Sequence, residues 1–271
     1  IFSENEFDVI FHFAAQAVVS KAAVDPLTTL KTNVIGTFQV IDLSIKNEAS
    51  NCIVVATTDK VYKNSSDLNN EESQLGGAEF YSSSKVAAEN VIESFKNSPE
   101  NKSTSISTVR SGNVLGPGDG ASDRLMTDLT NSLKEGKDII LRNPNSIRPW
   151  QDILDSIYGY ILVAELNYSN KQADIFNLNS EINNEITTKE IAQKMIEKWE
   201  SNINIIESKD NAFYEAEKLR LDSTKANKIL NWKSKLNIDQ TIEKIVDWEN
   251  SNDSSEAEKI SFDQIDKFFQ S

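Results

Sequence analysis

The sequence predicts an α/β protein in which a doubly wound parallel sheet is combined with a smaller C-terminal α+β lobe. Three observations predict this fold. Short apolar segments alternate with segments of helical periodicity, as in consecutive βαβ units. The apolar segments are uninterrupted, which is typical of strands that are buried on both faces. A group of polar side chains directly follows one of these segments, where parallel sheets bind their ligands.

The first part of the chain supplies three of the predicted strands, Asp8–Ala14, Cys52–Ala56 and Ser105–Arg110. Between the first two strands, five apolar residues recur at helical spacing: Leu30, Val34, Phe38, Ile41 and Ile45. Phe80–Phe95 predicts a helix between the second and third strands. We therefore expect residues 1–111 to form one α/β domain.

The alternation of strand and helix patterns becomes less regular after a turn rich in Gly and Pro at residues 112–120. Residues 112–250 predict a mixed α+β lobe whose strands return to the sheet. Its predicted elements are strands at Asp138–Arg142 and Ile175–Leu178, helices at Asp152–Asn167, Thr188–Trp199 and Ile238–Trp248, and a short helix that Asp222 and Ser223 cap and that ends near Asn231. Residues 251–271 predict a polar tail with a last short helix, Phe262–Phe269.

Composition narrows the classes of function. The 271 residues carry 28 Lys and Arg against 42 Asp and Glu, a net charge of −14, which argues against non-specific binding to nucleic acid or to an anionic membrane. The single cysteine, Cys52, excludes a disulfide framework. The single histidine, His12, is interpreted as a core residue, so we expect no metal site. Without a membrane span or a signal-peptide pattern, we expect a cytoplasmic protein.

The clearest chemical motif is Tyr81-Ser-Ser-Ser-Lys85 at the start of a predicted helix. Residues four apart lie on one face of a helix, and an ammonium beside a phenol stabilises the phenolate. A tyrosine in this setting can act as a base that removes a hydroxyl proton while hydride leaves the same carbon. The alternative is a chance occurrence, because Tyr and Lys at this spacing occur in many helices.

A second motif, Thr57-Thr58-Asp59-Lys60, directly follows the strand Cys52–Ala56. Its hydroxyl, carboxyl and amine could supply a hydrogen bond, an acid and a base at the ligand-binding end of the sheet. The alternative is a polar loop in which Asp59 and Lys60 form a surface ion pair. The two motifs together are more specific than either one alone.

These motifs and several others resemble the extended short-chain dehydrogenase/reductase family of nucleotide-sugar enzymes, and within it the CDP-glucose 4,6-dehydratases. The resemblance covers nearly the whole chain and implies a Rossmann-like sheet. Besides the two motifs, it is carried by Phe11–Gln16, Thr32–Thr37, Leu75–Gly77, Arg110–Val114, Gly118-Asp119, Asp123–Leu125, Arg142–Pro144, Ile147–Gln151 and Asp222–Trp232. The triplet Ala78-Glu79-Phe80 departs from the family's usual His-Asp-Pro before the tyrosine.

The resemblance implies a role for each residue of the two motifs. Tyr81 would be the redox base, Lys85 would hold the nicotinamide ribose of NAD, and Thr58 would bond the 4-hydroxyl of the sugar. Oxidation at C4 acidifies the proton on C5, so that water leaves across C5–C6 and hydride returns to C6. Lys60 is the candidate base at C5 and Asp59 the candidate acid for the departing 6-hydroxyl, although the two roles could be exchanged.

The resemblance also implies binding residues. Ala14, Ala15, Gln16, Asn33 and Thr57, with Tyr81 and Lys85, match positions that contact the cofactor NAD. Core packing explains the two alanines equally well, and a buried Asn33 could instead satisfy a helix backbone. Asn113, Arg124 and Arg148 match positions that bind the diphosphate of CDP-glucose or a related nucleotide sugar, and arginine suits phosphate oxygens. A homodimer and a place in the biosynthesis of deoxysugars for lipopolysaccharide are further implications.

One feature of the family has no counterpart in the sequence. No G-x-x-G-x-x-G fingerprint follows a strand in the 271 residues, whereas the family carries it in its first βαβ unit. We therefore expect the first βαβ units to be missing and the chain to be the C-terminal majority of a longer enzyme. Two alternatives stay open: another epimerase or dehydratase of the same family, or a non-catalytic remnant that binds sugar nucleotides.

Overall fold

The computed structural model describes residues 1–63, 66–180, 185–208 and 218–270. These residues form eight strands: β1 (Ile10–His12), β2 (Cys52–Thr58), β3 (Ser105–Ser111), β4 (Asn113–Leu115), β5 (Ile139–Leu141), β6 (Trp150–Asp152), β7 (Ile175–Leu178) and β8 (Ile205–Glu207). They also form ten α-helices: α1 (Val19–Val24), α2 (Pro26–Leu30), α3 (Gly36–Lys46), α4 (Phe80–Lys96), α5 (Leu125–Glu135), α6 (Ile153–Asn170), α7 (Thr188–Lys198), α8 (Thr224–Leu230), α9 (Ile238–Glu249) and α10 (Ser254–Gln270).

The chain divides into two compact units. Unit 1 comprises Ile1–Ser111, Tyr158–Leu178 and Arg220–Trp232. Unit 2 comprises Gly112–Ile157, Asn179–Leu219 and Lys233–Ser271.

Unit 1 contains a four-stranded parallel sheet in the order β1-β2-β3-β7, with flanking helices. The predicted α/β fold with a parallel sheet is confirmed. In the register, Cys52 lies opposite Ser105, and Val109 lies opposite Phe176. The carboxyl ends of β2 and β3 therefore lie at the same edge of the sheet, which brings Thr58 opposite Ser111.

Alternate residues of β2 build the core on the two faces of this sheet. Ile53 and Val55 pack with Ile41 of α3 and Ile92 of α4 on one face. On the other face, Cys52 and Val54 pack with Val163, Phe176 and Trp232, among others. Because successive strand residues point to opposite faces, a continuous apolar strand is what such a two-sided core requires.

The first predicted strand and helix differ from the structure. β1 is three residues long and forms the edge of the sheet made by the described residues, so Phe11 and Phe13 are 39% and 52% exposed rather than buried. Their rings stack on each other with centroids 5.8 Å apart. The helical segment predicted from Leu30 onward is interrupted by a π-helical turn, Lys31–Ile35, which a pattern of apolar spacing does not reveal.

Unit 2 holds two short parallel pairs, β4 with β6 and β5 with β8, and a core of its own. In unit 2 the sequence predicted β5, α7 and α9 to within one residue, and it predicted α6, most of which belongs to unit 1, to within three residues. It predicted neither α5 nor the strands β4, β6 and β8. Each of these strands has three residues, which is too short for a period of two to be recognised. Leu129, Trp150, Ile191 and Ile245 are among the core residues.

The two C-terminal predictions have different outcomes. The predicted cap of α8 is confirmed for Asp222, whose Oδ1 accepts from Thr224 N over 2.8 Å, whereas the Ser223 side chain makes no capping hydrogen bond. The helix ends at Leu230, and Asn231 directly after it has a φ of +52°. The last helix, α10, begins at Ser254 rather than at Phe262. Asp253 Oδ1 accepts from the backbone N–H groups of Ser255 and Glu256, both over 2.9 Å, which begins the helix inside the polar segment. None of the helices in the described ranges is long and apolar enough to cross a membrane.

Candidate active site

The first part of the candidate site is the carboxyl end of β2, where a 3-10 turn, Asp59–Val61, begins. Thr58 Oγ1 donates to Asp59 Oδ1 over 3.0 Å, and the backbone N–H of Lys60 donates to Thr58 Oγ1 over 3.3 Å. Asp59 is 3% exposed, and its Oδ2 has no hydrogen-bond partner within the described part of the chain. Asp59 therefore lies buried beside Thr58 rather than in a surface ion pair with Lys60.

The beginning of α4 is fixed by backbone contacts. The Glu79 carboxylate accepts from Tyr81 N over 2.6 Å and from Ser82 N over 2.8 Å, while Glu79 N donates to Ser82 Oγ over 3.2 Å. This is a capping box, so Glu79, where the sequence departs from the family, has a structural role at the helix start. A Cβ atom at Gly77 would collide with the backbone of Ser82 and Ser83, so only glycine fits before this turn.

Lys85 joins α4 to β2. Its Nζ donates to the carbonyl oxygen of Ala56 over 3.0 Å, and the residue is 7% exposed. Burial lowers the pKa of Lys85 from 10.5 to about 8, although the nearby Glu89 carboxylate opposes this shift. An ammonium has three N–H donors, and the Ala56 carbonyl is the acceptor that the described residues provide. The remaining N–H groups are available to a ligand at this end of β2.

Tyr81 is 7% exposed and lies one helical turn before Lys85 on α4. The spacing places the two side chains on the same face of the helix, as the sequence predicts. The Tyr81 carbonyl oxygen accepts from Ser84 Oγ over 2.6 Å.

Asn33 positions the backbone that follows β1. Its Oδ1 accepts from Gln16 N over 2.8 Å, and its Nδ2 donates to Gln16 O and to Ser84 Oγ, both over 2.9 Å. Asn33 is 1% exposed, whereas Ala14 is exposed and Ala15 is half-buried. The amide therefore links the Ala14–Gln16 segment to the helix that carries Tyr81 and Lys85.

His12 is a satisfied core residue, as the sequence predicts. It is 8% exposed, and its Nε2 lies 3.0 Å from Thr37 Oγ1. The Thr37 hydroxyl donates to Asn33 O over 2.7 Å, which leaves its oxygen to accept from an Nε2–H group. Burial lowers the pKa of His12, and the charge of Lys85 lowers it further.

The sequence reasoning missed a buried ion pair behind the site. Arg110 and Glu89 are 1% and 6% exposed, and Arg110 Nη2 lies 2.5 Å from Glu89 Oε2. Glu89 Oε1 also accepts from Thr57 Oγ1 over 2.7 Å. The available signal was the position of Glu89, one helical turn after Lys85 on the same face of α4.

The three predicted diphosphate-binding residues lie in unit 2. Asn113 pairs with Trp150 between β4 and β6, and its N–H donates to Pro149 O over 3.1 Å, which brings it near Arg148 along the chain. Arg148 is 2% exposed, and its Nη1 donates to Ile147 O over 2.9 Å. Arg124 instead lies at the N-terminus of α5, where its half-exposed guanidinium is 3.5 Å from Asp119.

Taken together, the end of β2 and the start of α4 hold a hydroxyl, a buried carboxyl, two amines and a phenol. Such a set can donate hydrogen bonds to a sugar hydroxyl and move protons on and off neighbouring carbons. The described residues contain no cluster of three or more His, Cys, Asp or Glu side chains that could hold a metal ion.

Comparisons with known proteins identify the family of the chain. The sequence profile of the GDP-mannose 4,6 dehydratase family matches residues 1–245. The chain is 34% identical over 256 residues to the CDP-glucose 4,6-dehydratase of Salmonella typhimurium, which covers 91% of this chain and 71% of that enzyme.

Solved structures share the fold. The UDP-glucuronic acid 4-epimerase of Bacillus cereus, in complex with UDP-glucuronic acid and NAD, aligns with a TM-score of 0.80 at 19% identity, over 90% of this chain and 75% of that one. The dTDP-glucose 4,6-dehydratase of Bacillus anthracis, in complex with NAD, aligns with a TM-score of 0.72 at 21% identity, over 90% of this chain and 73% of that one. From the profile match and the Salmonella relative, the chain belongs to the GDP-mannose 4,6-dehydratase family of extended short-chain dehydrogenases/reductases.

Proposed function

We propose that the protein is an NAD-dependent lyase that dehydrates CDP-glucose to CDP-4-keto-6-deoxyglucose. The observation that carries the proposal is the carboxyl end of β2, where the buried Asp59 and the amine of Lys60 follow Thr58. Elimination of water needs one acid and one base beyond the pair that handles the redox step, and these two residues supply them. The identity to the Salmonella enzyme supports the same reaction.

The residues present fit NAD as the cofactor. Lys85 has ammonium N–H groups that Ala56 does not use, which suits the hydroxyls of a ribose. Ala14 and Ala15 have side chains small enough for close approach of the cofactor, and Asn33 fixes the backbone of Gln16 directly after them. We assign cofactor contacts to these residues, to Thr57 and to Tyr81. When bound, NAD accepts and returns the hydride of the reaction.

In the proposed mechanism, Tyr81 removes the proton of the 4-hydroxyl. The Thr58 hydroxyl, which donates to Asp59 Oδ1 without substrate, turns to donate its hydrogen bond to that oxygen instead. The charge of Lys85 stabilises the Tyr81 phenolate. Once C4 is a ketone, Lys60 removes the acidified proton from C5. Asp59 protonates the departing 6-hydroxyl, so that water leaves across C5–C6.

Residues 112–250 are proposed to contribute most of the sugar-nucleotide site. Arg148, Arg124 and Asn113 are assigned to the diphosphate, because guanidinium groups bind phosphate oxygens through paired hydrogen bonds. The burial of Arg148 strengthens its interaction with an anion, since few water molecules compete for it.

We also propose a homodimer. Three apolar side chains of the π-helical turn and α3 support an apolar contact with a second copy: Ile35, Phe38 and Leu43 are 51%, 43% and 45% exposed.

The test combines substrate choice with a variant. We expect the protein to convert CDP-glucose faster than dTDP-glucose, UDP-glucose or GDP-mannose, measured by formation of the 4-keto sugar in the presence of NAD.

In deuterated water, Lys60→Ala should lose proton exchange at C5 while oxidation at C4 survives. Lys63→Ala, which changes an exposed lysine three residues further on, is the matched control. Intact C5 exchange in Lys60→Ala would contradict the role of Lys60, and preference for another sugar nucleotide would contradict the substrate.

A further inference from the structure

Two cross-links join the last residues of β2 to the helix that carries Tyr81 and Lys85. Lys85 Nζ donates to Ala56 O over 3.0 Å, and Thr57 Oγ1 donates to Glu89 Oε1 over 2.7 Å. Ala56 and Thr57 are consecutive in the strand, while Lys85 and Glu89 are one helical turn apart. The two bonds therefore fix both the position and the rotation of α4 relative to the strand end.

Glu89 is itself held in place by Arg110. Arg110 Nε donates to Glu89 Oε1 and Oε2 over 3.0 and 3.2 Å, in addition to the contact from Nη2. Burial by itself would lower the pKa of Arg110, but Glu89 and Tyr62 outweigh it and raise the pKa. Arg110 is thus charged inside unit 1, and it contacts the Glu89 carboxylate with bidentate geometry.

The ion pair is anchored on the opposite side as well. Arg110 Nη1 donates to Tyr62 OH over 2.9 Å, and Tyr62 OH donates to Asn177 Oδ1 over 2.7 Å. Burial raises the pKa of Tyr62 to about 12, so its hydroxyl stays protonated and continues to donate. Neighbouring residues therefore leave the Glu89 carboxylate little freedom to move.

We propose that Glu89 is a positioning residue for the dehydration, which orients Thr57 and Lys85 so that Thr58, Asp59 and Tyr81 act on the same sugar. The inference rests on the proposed function for the reaction that it serves. Glu89 acts through Thr57 and Lys85 and has no contact with the sugar. Its negative charge also counteracts the burial of the Lys85 ammonium.

Other charged groups must be considered when Lys85 is titrated. Tyr81, Glu89, Glu93 and Lys96 lie on its own helix. The titratable groups of the elements packed against α4 are Cys52 on β2, Asp59 and Lys60 on the 3-10 turn, Arg110 on β3, and Lys21, Asp25, Lys31, Asp42 and Lys46 within residues 19–46. The charge of Lys85 also acts on His12 of β1. Lys21, Lys31 and Lys46 are exposed, so solvent screens their charges.

The first experiment measures Lys85 without cofactor or substrate. Lysine side-chain NMR of protein labelled at Cε and Nζ, with Lys85→Met for assignment, reports the pKa of Lys85 directly. In Glu89→Gln we expect this pKa to fall by at least half a unit below the wild-type value, because the opposing negative charge is lost. Glu93→Gln, one turn further along α4 and exposed, is the matched control and should leave the value unchanged. An unchanged Lys85 pKa in folded Glu89→Gln overturns the proposal.

The second experiment covers the case in which Glu89→Gln fails to fold because Arg110 is left uncompensated. Thr57→Val removes the strand-to-helix bond and leaves the ion pair intact. We expect kcat with CDP-glucose to fall about 10- to 100-fold while KM changes less than 3-fold, and Thr57→Ser, which retains the hydroxyl, to recover the rate. A kcat of Thr57→Val within 2-fold of wild type overturns the proposal. Absence of dehydration in the wild-type protein contradicts the proposed function instead, and the Lys85 titration then decides the role of Glu89.

Discussion

The polar groups at the end of β2 and those at the start of α5 differ in how tightly the fold holds them. In unit 1, Asp59 and Lys85 are 3% and 7% exposed, and Lys85 is bonded to the backbone of Ala56. In unit 2, Arg124 is half-exposed, with 40% of its side chain accessible, and its contact with Asp119 is long at 3.5 Å. The first set has little conformational freedom, whereas Arg124 can adjust to a ligand.

This difference matches the demands of the two proposed tasks. Proton transfer depends on reacting atoms held within hydrogen-bond distance, so rigid support has a large effect on rate. A charge that binds a diphosphate can tolerate some movement, because its attraction falls off slowly with distance. Substitutions in the two regions should therefore differ in size and in the kinetic constant that they change.

The largest effect is expected for Tyr81→Phe. Loss of the phenol removes the proposed base at the 4-hydroxyl, and kcat with CDP-glucose should fall about 10²- to 10⁴-fold. Because the ring is retained, KM should stay within about 3-fold of the wild-type value. Steady-state kinetics at fixed NAD measures both constants, with Tyr168→Phe, a change on the exposed end of α6, as the control. A rate near that of wild type would show that the hydroxyl of Tyr81 is not the base.

A smaller effect is expected from the buried charge of Lys85. Below pH 8 the lysine is protonated in both the folded and the unfolded protein, and the cost of burying the charge is fully present. Between pH 8 and 10.5 the folded protein loses this proton first, so stability rises with pH. The free energy of unfolding of wild type minus that of Lys85→Met should increase by about 3 kcal/mol across this range.

Urea denaturation of both proteins at pH 7.5 and at pH 10.5 measures this difference. Because the comparison is between two proteins that share every other titrating group, the remaining pH dependence largely cancels. A difference that stays constant, or that falls with pH, would show that Lys85 is not buried as an ammonium and would weaken the contrast between the two regions.

The smallest effect is expected for Arg124→Gln in unit 2. If this half-exposed arginine binds the diphosphate, KM for CDP-glucose should rise about 10-fold, equivalent to about 1.4 kcal/mol, with kcat unchanged. Lys137→Gln, which removes an exposed cation just after α5, should leave KM unchanged and serves as the control. A fall in kcat without a change in KM would show that Arg124 acts like the rigidly held groups at the end of β2. The two regions would then not differ in the kinetic constant that they change.

Several features of unit 1 were predictable from the sequence because they depend on local patterns. The uninterrupted apolar residues of Cys52–Ala56 predicted a strand, and the position of Asp59 directly after it predicted a polar group at the ligand-binding end of a sheet. The four-residue spacing of Tyr81 and Lys85 predicted one helix face. Each of these inferences involves residues that are close in the chain.

Other features had no local signal. The edge position of β1, which exposes Phe11 and Phe13, depends on which strands lie beside it. The strands β4 and β6 are stabilised by pairing with each other across 34 intervening residues, 116–149, rather than by their own composition. Such pairings join residues that are far apart in the chain, so the residues of a short segment do not predict them.

The sequence by itself determined which chemical groups the protein carries and that they follow a strand or open a helix, because periodicity and spacing fix local structure. Only the tertiary structure decided how these groups are held. Glu89 and Arg110 are separated by 21 positions and meet because α4 packs against β3 in a core with few water molecules. There the two charges must pair with each other, and the hydrogen bond from Thr57 to Glu89 is one of the two that link the strand to the helix.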